Sequence, residues 1–203
     1  MALKLYTNSF SRGVVVDWLL LELGIECERI EVAFKTEMKT PEYLQMNPFG
    51  KVPVLVDGDI VIYELGAICA YLADKFIDKG LAPALNDPKR GLYYRWLFFI
   101  SGPWEAAATD RMLGINEVTP EQQSFVGYGN YDDAYNAFVV GLNEAAPFLC
   151  GEQFTAADVL VAAMLFWQLK MGEVQSHPAI ERYLENVSQR PGYKKFADFF
   201  SNA

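Results

Sequence analysis

The sequence predicts an α/β domain followed by an all-helical domain. Up to residue 76, short strand-like runs alternate with helix-length apolar segments. Gly, Pro and Asp then concentrate in residues 77–90, and helical periodicity alone follows. We therefore predict an α/β domain at 1–78, a linker at 79–90 and a helical-bundle domain at 91–203.

The composition is that of a soluble globular protein, with 52% hydrophobic and 21% charged residues in a chain of 203. The opening MALKLYTNSF lacks the basic and apolar regions of a signal peptide. No apolar run approaches the roughly eighteen residues of a membrane-spanning helix. We expect a cytoplasmic protein without a membrane partner.

The net charge and the small number of histidines and cysteines argue against several classes of function. The net charge of −9 is spread along the chain without a basic block, which argues against a nucleic-acid partner. The single histidine, His177, cannot build a multi-histidine metal site. Cys27, Cys69 and Cys150 are far apart, so we expect buried free thiols, with neither a disulfide framework nor a metal.

The first elements predict a βαβ unit. Residues 3–7 (LKLYT) alternate as a strand does, and VVVDWLLLELGI carries apolar residues around a helix that Gly24 ends. CERIEVAF is typical of a second strand. Thr40 and the proline after it predict a short helical turn.

A ββα unit follows. VPVLV and IVIY are β-rich runs separated by Asp57-Gly58-Asp59, and the Asp-Gly pair is a strong hairpin signal. The segment from Glu64 to Phe76 has the length of a helix, with apolar residues on more than one side. We expect this helix to be largely buried.

Pro53 stands at the start of the first of these two β runs, VPVLV, which leaves two conformations open. An ordinary trans proline is tolerated there, and periodicity alone favours it. If the bond before Pro53 were cis, the Val52 backbone would face outward, where an extended dipeptide could pair with it as an added strand.

The second half predicts helices only. In FTAADVLVA, Thr155 and Asp158 form a capping box with Asp in place of Glu, ahead of a helix apolar enough to be central to its domain. We assign this box to folding rather than to catalysis. The predicted helical segments are 90–113, 131–149, 155–170, 178–190 and a last short one after Pro191.

Three motifs in order resemble the cytosolic glutathione transferases, particularly the bacterial members. NPFGKVPVL is similar to their cis-proline loop, YELGAICAYLAD to their glutamate-led helix, and FTAADVLVA to their capping-box helix. The resemblance covers essentially the whole chain. It implies a thioredoxin-like first domain, a homodimer and glutathione as cosubstrate.

The resemblance also implies roles for individual residues. Val52 matches the position whose backbone pairs with the cysteinyl part of glutathione, and Pro53 is then cis. Glu64 matches the residue that receives the γ-glutamyl ammonium, and Lys51 lies near the glycine carboxylate, although a solvated loop lysine is an equal reading.

Two positions depart from the family pattern. Leu65 stands where relatives have Ser or Thr, whose hydroxyl and N–H both bind the γ-glutamyl carboxylate. The lost hydrogen bond is worth about 1.5–3 kcal/mol, which weakens binding about tenfold or more. Met38 falls where many relatives carry a polar side chain.

The reactive centre is expected in the turn YTNSFSRG. A hydroxyl at a helix N-terminus stabilises a thiolate, and the helix dipole adds to this effect. Ser11 aligns with the serine of relatives that have Ser-Arg here, and we rank it first; the alternatives are Ser9, Asn8 and Tyr6. A plain helix cap would use the same Ser11 hydroxyl. The turn has no cysteine, which disfavours classes that form a mixed disulfide.

We therefore expect a glutathione transferase that directs the bound thiolate at a small hydrophobic electrophile in the interdomain cleft. Phe10, Phe99 and Trp104 are candidates for the electrophile site, although periodicity also fits a core position for most of them. The alternative is a non-catalytic binding or regulatory member of the family, and Leu65 favours it.

Overall fold

Four strands and ten α-helices form from the residues that the computed structural model describes, 3–115 and 118–201. The strands are β1 (Lys4–Thr7), β2 (Glu28–Glu31), β3 (Val54–Asp57) and β4 (Ile60–Tyr63). The helices are α1 (Gly13–Leu23), α2 (Pro41–Met46), α3 (Leu65–Lys75), α4 (Lys89–Phe99), α5 (Glu105–Leu113), α6 (Pro120–Gln123), α7 (Tyr131–Asn143), α8 (Ala156–Lys170), α9 (Pro178–Ser188) and α10 (Pro191–Ser201). The predicted order of an α/β part and a helical part is confirmed.

The sheet has the strand order β2-β1-β3-β4. β1 pairs parallel with β2, and β3 pairs antiparallel with both β1 and β4. The predicted hairpin between β3 and β4 is present, and Gly58 adopts φ 61°, which glycine tolerates without steric cost. Gly24, with φ 65°, ends α1 as predicted.

The two faces of the sheet are covered by different elements. Leu5 and Leu55 are paired neighbours with no solvent exposure. On the other face, Tyr6 and Val54 pack with Tyr43 of α2 in a separate apolar cluster. Burial on both faces explains the apolar run of Val54 and Leu55 in β3.

The chain divides into two units, Met1–Lys79 with Arg190–Ala203, and Gly80–Gln189. The predicted helical domain extended to residue 203, whereas α10 associates with the first unit. The Phe196 ring stacks on Trp18 at 5.1 Å, and Arg190 donates to the nearly buried carboxylate of Glu22. These partners are far apart in sequence, so local periodicity carries no sign of them.

In the second unit, α4 and α5 are joined by a π-helical segment, Ile100–Trp104. Pro103 lies inside this segment, and a proline lacks the N–H that a regular α-helix requires. The Trp104 ring is fully buried and packs on Phe138 at 4.6 Å. Aromatic rings thus form much of this core.

The predicted capping box starts the buried helix α8. Asp158 accepts hydrogen bonds from the N–H and hydroxyl of Thr155, from the Leu149 N–H and from the Tyr183 hydroxyl. Burial raises the pKa of the Asp158 carboxyl to about 6, with these donors acting in the opposite direction. The box therefore joins the loop before α8 to α9.

Two details of the helical part differ from the prediction. The segment predicted as helix to residue 149 ends at Asn143, because Pro147 cannot continue a helical hydrogen-bond ladder. The four-residue helix α6 is absent from the prediction, since so short a segment has no periodicity to detect. None of the helices in the described ranges has the length and apolar character needed to cross a bilayer.

Candidate functional site

The sheet brings three predicted site segments to one edge. Tyr6 of β1 is paired with Val54 of β3, and Val54 is paired with Tyr63 of β4. The turn after β1, the Val52–Pro53 segment before β3 and Glu64 after β4 therefore leave the sheet at the same end. The pairing register, rather than any single motif, assembles this candidate site.

The buried side chain of Asn47 fixes the loop before β3 through hydrogen bonds to its backbone. Its side-chain oxygen accepts from the Phe49 N–H at 3.1 Å, and its amide donates to the Lys51 carbonyl at 2.9 Å. The Tyr43 hydroxyl donates to the same carbonyl at 2.8 Å. Two donors on one carbonyl fix the backbone immediately before Val52.

Gly50 is required where this loop turns. It has φ 57°, and a Cβ there would lie 2.5 Å from the Met38 carbonyl oxygen. A larger residue would displace that backbone. The loop therefore packs tightly against the segment before α2.

The Val52–Pro53 peptide bond is cis. Val52 precedes β3 and is half-buried. Its backbone N–H and C=O make no hydrogen bond with any residue in the described part of the chain. An unpaired donor and acceptor on adjacent atoms of a held loop are suited to an extended peptide.

Glu64 combines an exposed carboxylate with an unusual backbone. Its φ is 74° and its ψ is 116°, a left-handed conformation that costs a residue with a side chain about 1–3 kcal/mol. Its carboxylate forms no hydrogen bond or ion pair with the described residues. Strain at an exposed, unengaged acid points to a role in binding.

The N-terminus of α3 lies directly after this acid. The first helical hydrogen bond runs from the Ile68 N–H to the Glu64 carbonyl at 2.9 Å, so the N–H groups of Leu65 and Gly66 have no acceptor within the helix. Such N–H groups bind anions. The site thus offers a carboxylate for a cation and a helix N-terminus for an anion, side by side.

The turn after β1 is organised by Asn8, which is buried. Its amide donates to the Val32 carbonyl at 2.9 Å, and its side-chain oxygen accepts from the Phe10 N–H at 3.0 Å. Both functions of the amide group are thereby used to shape the turn. This arrangement favours a structural role for Asn8 over a catalytic one.

Ser11 lies at the entry to α1 and is half-buried. Its hydroxyl accepts from the Gly13 N–H at 3.0 Å and donates to the Asn8 carbonyl at 2.7 Å. A rotation about the Cβ–Oγ bond redirects this proton while the Gly13 contact stays in place. Ser11 therefore serves as a helix-start acceptor and retains one proton that can be offered elsewhere.

Ser9 belongs to a charged network. Its N–H donates to Glu31 at 2.8 Å, and its hydroxyl accepts from Arg29 at 3.1 Å. Arg29 also donates to Glu31 at 2.9 Å and to Asp17 of α1 at 3.3 Å. The network binds the turn to β2 and α1, so the Ser9 hydroxyl already has partners.

The other candidates near the turn differ in exposure. The Tyr6 ring packs edge-on against Tyr43 at 6.3 Å, and its hydroxyl makes no hydrogen bond with the described residues. Phe10 is 66% exposed. Phe10 thus offers apolar surface next to Ser11.

Basic groups flank the loop before β3. Lys51 is exposed. The Lys39 ammonium donates to the Phe49 carbonyl at 2.9 Å, which places a second cation at this loop. Met38 is 5% exposed and belongs to the apolar cluster under the sheet, so it offers no surface to a ligand.

The remaining two candidates lie in the second unit. Trp104 is fully buried and donates from Nε1 to Gln168 at 2.9 Å, which assigns it to the core instead of a ligand surface. Phe99 is half-buried, with its ring 5.5 Å from that of Phe138.

The three cysteines are all free, and none is poised as a nucleophile. Burial raises the pKa of Cys27 to about 11, of Cys69 to about 12 and of Cys150 to about 11. Thiols with such pKa values are almost fully protonated at neutral pH. A reactive thiolate would have to be brought by a ligand.

Sequence reasoning missed the residues that hold the site in shape, above all Asn47, Lys39, Glu31 and Arg29. Asn47 had a local signal, because Asn before Pro is typical of turns in which the side chain bonds to the backbone. The pairing of Glu31 with Ser9 spans 22 residues and has no such signal.

Comparison with known proteins agrees with this architecture. The family described as "Glutathione S-transferase, N-terminal domain" matches residues 1–74, and "Glutathione S-transferase, C-terminal domain" matches 132–191. The chain is 30% identical over 215 residues to Glutathione S-transferase F12 of Arabidopsis thaliana, which covers 96% of this chain and 97% of that relative.

Solved structures give the same result. A glutathione transferase from Methylococcus capsulatus superposes with a TM-score of 0.78 at 28% identity, covering 97% of this chain and 98% of its own. A sphingomonad glutathione S-transferase complexed with glutathione superposes with a TM-score of 0.75 at 25% identity, covering 98% of this chain and 100% of its own. The chain belongs to the cytosolic glutathione transferases, and the protein is an enzyme of that family.

Proposed function

We propose that the edge of the sheet described above binds glutathione and activates its thiol for attack on a small hydrophobic electrophile. The observation that carries this proposal is the convergence of the Val52 backbone, the Glu64 carboxylate and the N-terminus of α3. Glutathione presents a peptide backbone, an ammonium, two carboxylates and a thiol. Each group of the ligand has one counterpart in the site.

Binding is assigned as follows. The N–H and C=O of Val52 pair with the cysteinyl residue as an added strand, and the cis bond to Pro53 is part of that surface. Glu64 receives the γ-glutamyl ammonium, and the Leu65 N–H receives the adjacent carboxylate. Lys51, with Lys39 nearby, meets the glycine carboxylate.

Thiol activation is assigned to Ser11. Its hydroxyl turns from the Asn8 carbonyl to the sulfur, and a hydrogen bond to the charged form lowers the pKa of the thiol. The N-terminal end of α1 favours the same negative charge. Ser9, Asn8 and Tyr6 then shape or line the turn.

The electrophile is proposed to be small and hydrophobic, because the surface beside Ser11 includes the exposed ring of Phe10. Trp104 is fully buried in the helical unit and is not part of this proposal, and Phe99 is half-buried in the same unit. An apolar surface also excludes water from the thiolate, which strengthens its nucleophilicity.

Calorimetry tests the binding proposal. Glutathione should bind the intact protein saturably at millimolar concentration, and Glu64→Ala should weaken this binding by at least tenfold. Asp59→Ala is the matched control, since Asp59 is an exposed acid in the turn at the opposite end of β4. Equal losses in both variants would overturn the assignment of Glu64.

A homodimer is proposed as the working assembly. Both units carry large apolar side chains in water, including Phe49 at 64% exposure and Phe98 at 75%. Tyr94 and Phe98 are four residues apart on α4 and share a face. Light scattering should show a dimer that Phe98→Asp dissociates and that Phe125→Asp, at a 90% exposed position outside α4, leaves intact.

A further inference from the structure

A pocket of about 630 Å³ lies within the helical unit, where the end of α5 approaches the start of α7. Its apolar lining comes from Ala107, Ile115 and Val118. Its polar lining includes two tyrosines and three charged side chains. The volume is typical of a small-molecule site.

The Arg111 side chain stacks on an aromatic ring in this pocket. Its guanidinium lies 4.0 Å from the centre of the Tyr131 ring. It forms no hydrogen bond or ion pair with any residue among 3–115 and 118–201. Arg29 and Arg190, by contrast, each pair with a carboxylate. Stacking holds the plane of Arg111 and leaves its in-plane donors available to an acceptor.

Two acids, Asp110 and Asp132, line the same pocket and differ in their hydrogen bonds to the described residues. The Asp110 carboxylate accepts from the Tyr128 hydroxyl at 2.6 Å. The Asp132 carboxylate is exposed and has no hydrogen-bond or ion-pair partner in the described ranges. Burial raises the pKa of Tyr131, while the charge of Arg111 lowers it and that of Asp132 raises it further, so both charges stand close to this ring.

We propose that this pocket binds a zwitterion with an apolar side chain, the chemistry of a free aromatic amino acid. The α-carboxylate pairs with Arg111, the α-ammonium pairs with Asp132, and the side chain contacts the wall of Ala107, Ile115 and Val118. A ligand with only a negative charge would face two acids, and one with only a positive charge would face Arg111. A zwitterion satisfies both signs.

Calorimetry on the full chain tests the proposal with three probes: L-phenylalanine, 3-phenylpropanoate and 2-phenylethylammonium. The first should bind saturably and at least tenfold more tightly than the other two, each of which lacks one charge. Arg111→Met keeps an unbranched side chain over Tyr131 and should weaken L-phenylalanine binding tenfold or more, as should Asp132→Asn. The Arg111 side-chain N–H signal in the NMR spectrum should shift on addition of L-phenylalanine.

Arg95→Met is the matched control, because Arg95 is also exposed and stacks on Trp96 at 4.6 Å in the same unit. It should leave L-phenylalanine binding unchanged. Absence of saturable binding, equal affinity for either singly charged probe, or an unaltered Arg111→Met variant would each overturn the proposal.

Competition with glutathione distinguishes this pocket from the proposed glutathione site. Saturating glutathione should not displace L-phenylalanine, and Arg111→Met should not alter glutathione binding. Competition between the two ligands would place L-phenylalanine at the sheet edge and refute the pocket. A chain that fails to bind glutathione would refute the proposed function and leave the pocket supported by its own titrations.

Discussion

Replacing Leu65 with serine should supply a hydroxyl donor for the γ-glutamyl carboxylate of glutathione in the proposed site. Leu65 is the first residue of α3, directly after the strained Glu64, and its N–H already faces the proposed position of the γ-glutamyl carboxylate. A serine hydroxyl at this position would donate to that charged group. Leu65→Ser should therefore tighten glutathione binding.

The expected gain is about tenfold. A hydrogen bond to a charged group contributes about 1.5–3 kcal/mol, and every 1.4 kcal/mol changes an equilibrium constant tenfold. Ordering the hydroxyl and desolvating it offset part of this gain, which sets the expectation near the lower end. The loss of a half-buried leucine costs stability rather than affinity, about 1 kcal/mol from the lost apolar contact.

The assay is calorimetric titration of glutathione into the parent, Leu65→Ser and Leu65→Ala. The alanine variant removes the leucine without adding a donor, so it isolates the effect of the hydroxyl. Circular dichroism and thermal unfolding check that all three are folded. If Leu65→Ser is folded and binds no more tightly than Leu65→Ala, the hydroxyl has no partner and the proposed position of the carboxylate is wrong.

Two further predictions concern Ser11 and Asp158. Ser11→Ala should raise the pKa of the thiol of bound glutathione and slow conjugation of a generic electrophile about tenfold or more, with little change in glutathione affinity. The decrease in conjugation rate should be larger for Ser11→Ala than for Ser9→Ala or Tyr6→Phe in the same assay. Asp158→Asn keeps one side-chain acceptor oxygen for four donors and should destabilise the fold by at least about 2 kcal/mol in urea unfolding. Burial raises the pKa of Asp158 from 3.8 to about 6, so the part of its stabilisation that depends on protonation should be full below about pH 4 and be lost as the pH rises through 6. The difference in stability between the parent and Asp158→Asn should shrink over this range, and a pH-independent difference would contradict this.

Local signals in the sequence were sufficient for most of the fold. Gly24, the Asp57-Gly58 pair and the Thr155–Asp158 box each act within a few residues, and each is found where it was predicted. The position of α10 depends instead on Arg190 and Glu22, which are 168 residues apart. Such a contact leaves no periodic trace in the sequence.

The candidate site shows the same division. Sequence motifs identified the segments at Val52 and Glu64 as candidates, and the register of the sheet brings these segments to one edge. The hydrogen bonds of Ser9 to Arg29 and Glu31 are tertiary contacts, which only the structure shows, and they support the proposal of Ser11 over Ser9. The burial of Trp104 likewise follows from how α7 and α8 pack around it.

Glutathione titration of the parent and of Glu64→Gln tests whether the sheet edge binds glutathione through the Glu64 carboxylate. The glutamine keeps the shape of the side chain and removes the charge that is proposed to receive the γ-glutamyl ammonium. We expect saturable binding to the parent and a loss of at least tenfold in Glu64→Gln, with Asp59→Asn unchanged. Absence of saturation in the parent, or equal affinity in Glu64→Gln, would contradict it.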